Sequence, residues 1–144
     1  MQPSYDQDYY LWFADQARCL REGQWQSLDV EHLAEELEDM GKREKRALRS
    51  RTVVLVAHLL KYAYQPQRRT SSWKGTIREQ RKQLVELLLD SPSLKPRLVE
   101  ELDDSYISAR LLAAGETGLP ETALPEHCPY TVDQLLLDDF WPEA

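Results

Sequence analysis

"TVVLVAHLL" occupies residues 52–60 and is the longest uncharged apolar run in the chain. A membrane-spanning helix needs about 20 apolar residues, so this run is read as a buried helix segment. Leu55, Val56, Leu59, Leu60 and Ala63 share one face at helical spacing. Arg51, His58, Lys61 and Gln65 are expected on the opposite side. Pro66 ends the segment, because proline has no N–H to continue a helix.

Working outward, every neighbouring segment reads as helix and none as strand. Upstream, "SLDVEHLAEELEDMG" has Asp29 as N-cap and an apolar stripe of Val30, Leu33, Leu37 and Met40. Gly41 is expected to weaken or kink the chain before "KREKRALRSR". The first helix is expected to start at Asp6, with Tyr5 and Tyr10 as a hydrophobic staple, and to stop at Gly23. Downstream, Ser71 or Ser72 caps a helix ending near Ser91-Pro92. Ser93 caps another, which stops at Gly118. Thr131 and Gln134 form a capping box for a short last helix. Five or six helices with mostly short loops predict an all-α, single-domain bundle over residues 1–144.

Composition agrees with a globular chain: 144 residues, 42% hydrophobic and 30% charged. A chain of that length buries a full core without disulfide staples. Cys19 and Cys128 form no C-x-x-C pair, and "MQPSYDQDYY" lacks the basic and apolar regions of a signal peptide. A cytoplasmic, disulfide-free protein is expected.

The net charge of −7 hides a segregation. Residues 42–82 hold 13 of the 18 Lys and Arg with only Glu44 and Glu79, which makes that block +11. The remainder is −18. Such cations either steer an outside anion or pair within the chain. On the helix after Ser71, Trp73, Ile77, Leu84, Leu87 and Leu88 share the apolar face. Gln80 falls inside that face and Arg81 borders it, while Lys74, Arg78 and Lys82 point elsewhere. Arg49 lies on the core side of its helix. An unpaired buried charge is costly, so Arg49 and Arg81 are expected to meet carboxylates, with Glu36 and Glu38 as partners. Gln80 needs hydrogen-bond partners of its own.

"YDQDYYLW", "LDVEHLAEELEDMGKRE", "LVAHLLKYAYQPQRRTSSWKGTIREQR", "SPSLK", "ETGLP" and "CPYTVDQLL" resemble, in order and spacing, the bacterial domain of unknown function family 29. The likeness runs from about Tyr5 to Pro142. The family usually carries Trp after the His-Leu-Leu-Lys run, where this chain has Tyr62. The resemblance implies an all-helical cytoplasmic protein. It implies no activity, cofactor or catalytic residue.

No catalytic constellation is visible. Asp29-x-x-His32 is one near match to a di-metal Glu-x-x-His motif, but Asp29 is explained as a cap. Glu35 and Glu38 read as a solvated acidic face, and no cysteine–histidine spacing suits zinc. No metal and no cofactor are expected. His58 is the best single acid–base candidate, because histidine titrates near neutrality. Arg51 and Lys61 would lower its pKa if close. Its structural alternative is a hydrogen bond between helices. Cys19 reads as packed, and Cys128 as loop-borne and more accessible. An interaction or regulatory protein, binding a protein partner or itself, is therefore the first expectation. A nucleic-acid or phosphate binder is the second, using His58, Arg68, Arg69, Trp73, Lys74, Arg78 and Lys82, with aromatics among cations to stack bases. An enzyme comes third, and membrane insertion is not expected.

Overall fold

Helix boundaries lie near where the sequence pattern sets them, but two caps are shifted by one or two residues, and Ser93, expected as a third cap, makes no side-chain cap bond. In a computed structural model describing residues 4–143, α1 spans Tyr9–Arg21. Asp8 caps it, accepting from the Leu11 N–H at 3.1 Å. Asp6 is therefore not the cap, and Tyr10, which is 80% exposed, forms no staple. Gly23 follows at φ 69°, the left-handed turn that glycine adopts without strain. A 3₁₀ turn, Trp25–Ser27, leads into α2, Val30–Tyr64.

The 35 residues of α2 run as one continuous helix through Gly41. Gly41 lies in open space, and one glycine costs an exposed helix only about 1 kcal/mol, too little to end it. After a 3₁₀ turn at Pro66–Arg68 comes α3, Ser71–Asp90. Its cap is Thr70, which accepts from the Trp73 N–H at 3.1 Å, and not Ser71 or Ser72. α4 spans Leu94–Thr117 and ends at Gly118, φ 77°. A third 3₁₀ turn, Glu121–Ala123, precedes α5, Val132–Leu136, where the Thr131–Gln134 capping box forms as expected. Among the described residues there is no strand. The described residues are all-α, with five α-helices.

The chain divides into two compact units, residues 1–44 and 45–144. In the second, Leu48, Leu55, Leu59 and Leu60 of α2 meet Ile77 and Leu84 of α3 and Leu98, Tyr106 and Ala109 of α4 in one core. Tyr130, Val132 and Leu135 join it from the C-terminal segment. Ala57 and Lys61 of α2 are buried too, at 0% and 5% exposure. This stretch of α2 is thus enclosed on more than one face, and Lys61 does not point to solvent. Among the described residues of the first unit only two apolar side chains, Trp12 and Cys19, are buried. The Val30–Leu37–Met40 stripe lies open, each residue more than half exposed.

Candidate interaction surface

The first unit is held together by polar and aromatic contacts. Trp12 is 1% exposed, and its indole N–H donates to Asp29 Oδ2 at 3.0 Å. The same oxygen lies 2.6 Å from His32 Nδ1, while Asp29 Oδ1 accepts from the His32 backbone N–H at 3.4 Å. Gln16, also buried, accepts from the Asp29 N–H at 2.7 Å and donates to the Ser27 carbonyl. The Tyr5 ring stacks on His32 with centroids 4.0 Å apart, and its hydroxyl donates to Glu36 Oε1 at 2.6 Å. These bonds shift the titrating groups. His32 holds Asp29 below the usual carboxylate range, and Asp29 in turn raises His32. The Tyr5 hydroxyl lowers Glu36. Asp29, expected only as a cap, is the knot joining α1 to the start of α2.

A hollow of about 310 Å³ opens beside this knot, lined by Tyr5, Trp12, Gln16, Asp29 and His32 among others. The Asp29, Gln16 and Trp12 side chains that line it already bond within the chain. The larger feature is apolar and outward. Among the described residues, nine of the fourteen large hydrophobics that are exposed fall before residue 45. They include Tyr9, Phe13, Trp25, Val30, Leu37 and Met40. Contiguous exposed apolar patches commonly mark interaction sites, and Val30, Leu37 and Met40 lie along one face of α2.

The second unit answers what the cations of residues 42–82 face. Arg81 points inward as expected, at 1% exposure, but meets no carboxylate. Its Nε donates to the Leu135 carbonyl at 2.7 Å and Nη1 to the Asp138 carbonyl at 3.4 Å. Carbonyls left free near the end of the short α5 supply the negative pole instead of Glu36 or Glu38. Arg49 is half-buried and does find a carboxylate, Asp104 at 2.9 Å, along with Ser108. Neither expected partner is used: Glu36 is taken by Tyr5 in the first unit, and Glu38 is exposed. Gln80 is half-buried, and its Oε1 has no partner among the described residues.

Aromatic faces near the cations are occupied by the chain's own side chains. Lys61 pairs with Glu116 and sits 5.2 Å from the Trp73 ring. Arg69 lies 4.2 Å over Tyr62 and donates to its carbonyl at 2.7 Å. Arg78 lies 5.3 Å over Trp141, which packs against Tyr62. Trp73 and Tyr62 are therefore not free platforms for bases. Lys74, Arg78 and Lys82 are exposed, four residues apart along α3, and make no ion pair among the described residues. Arg68 is exposed beside them in sequence, in the turn before α3.

His58 is half-buried, and its Nδ1 bonds the Val54 carbonyl one turn back at 2.9 Å, within its own helix rather than between helices. Burial lowers its pKa, with Lys61 adding to the effect. Cys19 and Cys128 are both free thiols. Cys128 is half-buried, donates to the Tyr130 carbonyl, and has its pKa raised by burial, which suits an inert thiol. Among the described residues no three His, Cys, Asp or Glu side chains converge as metal ligands would. No described helix is long and apolar enough to cross a membrane.

The model of a family described as domain of unknown function DUF29 matches residues 4–141. The chain belongs to this family. No curated protein matches it, and neither does any solved structure. In this DUF29 chain the match covers both units, so the open apolar face and the cation-lined α3 both lie within the family's region.

Proposed function

We propose that this protein is a helical interaction protein whose first unit docks a protein partner. The observation that carries the reading is the inverted burial of residues 4–44. Two apolar side chains there are buried and nine large ones are exposed. A self-sufficient unit would reverse that ratio. Docking returns such surface to a dry environment at roughly 25 cal/mol per Å². The cost of binding is lowered because the α1–α2 knot presents the face already formed.

A photo-reactive residue placed at Leu37 tests this. It is expected to give a discrete protein adduct in native lysate, one that disappears when Met40→Asp is added. The same probe at Ile107, equally open at 60% exposure but in the second unit, should give none. Equal adducts at both positions, or none at Leu37, would remove the proposal.

A second reading rests on Lys74, Arg78 and Lys82, whose charges no carboxylate neutralises. They form a ridge suited to a polyanion, whose binding would weaken steeply with salt. Replacing all three with glutamine should abolish any low-salt binding to a single-stranded oligonucleotide. Binding that survives the replacement would discard this reading.

A further inference from the structure

Resting on the docking reading, the charge around the stripe says what kind of partner fits it. Residues 29–40 hold six acids and neither Lys nor Arg. Two are spent locally, Asp29 on His32 and Glu36 on Tyr5. Glu31, Glu35, Glu38 and Asp39 are exposed, and none makes an ion pair among the described residues. On the helical wheel Glu38 flanks the apolar stripe on the side away from Glu36, and Glu31 lies just beyond it, two turns earlier on the same line. Val30, Leu33, Leu37 and Met40 are spaced as one helix reads another, at i, i+3, i+7 and i+10. We propose that the stripe receives a basic amphipathic helix of a different protein, with its apolar residues on Val30, Leu37 and Met40 and its Lys or Arg on the acidic border.

A second copy of the chain is a poor occupant. Stripe against stripe would oppose two segments that each carry six acids. The chain's own basic helical segments have no apolar face to offer either. Lys42, Arg43, Lys45 and Arg46 are exposed, but the next apolar anchor, Leu48, is 1% exposed. On α3, Ile77 and Leu84 are both 0% exposed. An anionic lipid surface would repel the acidic border.

The probe is a synthetic helical peptide with leucine at i, i+3, i+7 and i+10 and lysine elsewhere. It is compared with a scrambled isomer and with a leucine/glutamate analogue. Calorimetry on the full chain should show the patterned basic peptide binding at least ~10-fold tighter than the scramble, a difference of about 1.4 kcal/mol. Leu37→Asp should remove that preference. Glu31→Lys with Glu38→Lys should weaken binding at low salt and much less at high salt. Both sites are open, and unchanged thermal unfolding of the variants would show that folding is not the cause.

Equal binding of basic peptide and scramble would overturn the proposal, as would preference for the acidic analogue or no binding. Sedimentation showing a dimer that Leu37→Asp dissolves would overturn it in favour of a second copy. The docking reading stands or falls separately. An adduct at Leu37 with no peptide binding leaves docking intact and the partner chemistry wrong. No adduct at Leu37 removes both.

Discussion

The two units use one helix in opposite ways. Between Leu48 and Ala63, α2 buries apolar residues around most of its circumference. Between Val30 and Met40 it buries a glutamate and leaves Val30, Leu37 and Met40 in water. Among the described residues the second unit buries twenty apolar side chains and the first two. Hydrophobic burial holds residues 45–143, whereas hydrogen bonds from Tyr5, Trp12 and Gln16 hold residues 4–44. Net hydrogen-bond contributions are small, near 1 kcal/mol each. A unit built this way gains little from folding alone and gains more from covering its exposed face.

Leucine truncations test the contrast most severely. Leu59 is fully enclosed, so Leu59→Ala removes packed methyl groups and leaves a cavity. The expected loss is about 2–5 kcal/mol in denaturant unfolding. Leu37 is 68% exposed, and Leu37→Ala should change stability by less than about 0.5 kcal/mol. Comparable losses at the two sites would mean that the stripe is already covered in solution.

A buried cation gives a smaller contrast, within the second unit. Arg81→Ala empties a fully buried site and strips the Leu135 carbonyl of its donor. No opposite charge is left stranded, so the cost should fall below that of a broken buried ion pair, at about 1–3 kcal/mol. Lys82→Ala, on the solvent side, should stay within about 0.5 kcal/mol. A loss for Arg81→Ala as small as that for Lys82→Ala would show that the guanidinium does not anchor the C-terminal segment.

These sites also show what the sequence could and could not disclose. The helices and their stops at Gly23, Pro66, Ser91 and Gly118 were readable because capping and chain-breaking act locally. The inward direction of Arg81 was readable from its place beside the Trp73–Ile77–Leu84 face. Its partners were not, since main-chain carbonyls 54 and 57 positions away leave no mark in side-chain identity. Lys61 was misplaced because a one-sided helical wheel assumes one buried face. The unbroken run from Thr52 to Leu60 already signalled a helix enclosed on several sides. The apolar stripe on residues 30–40 was legible as a stripe. Its exposure was not, because apolar periodicity marks a face that seeks cover without saying whether this chain supplies it. The Asp29–His32 spacing reads in sequence as a weak metal motif. The arrival of Trp12 and Gln16 on Asp29 depends on tertiary contact between α1 and α2.

The smallest expected effect compares the two histidines, one in each unit, which should titrate in opposite directions from the ordinary value near 6.5. Asp29 bonds His32 Nδ1 and favours the imidazolium, so His32 is raised. Burial and nearby Lys61 disfavour charge on His58, so it is lowered. The signs for stability follow by linkage. The His32 contribution is fully present below the unfolded pKa and is lost as pH rises through the raised folded value. Asp29 adds a contribution present above its unfolded pKa and lost as pH falls through its depressed one. His58 acts the other way. Its lowered folded pKa penalises the native state as pH falls below about 6.5, because the unfolded chain takes up that proton more readily. The two histidines therefore act in adjacent windows, His58 below about 6.5 and His32 above it, and together they favour a shallow stability maximum near that pH. Imidazole NMR signals separate what the global curve hides. The His32 midpoint should lie above 6.5 and drop towards it in Asp29→Asn, with His58 unmoved. The His58 midpoint should lie below 6.5 and rise in Lys61→Met, with His32 unmoved. A His32 midpoint insensitive to Asp29→Asn would break the knot on which the first unit's presented face depends.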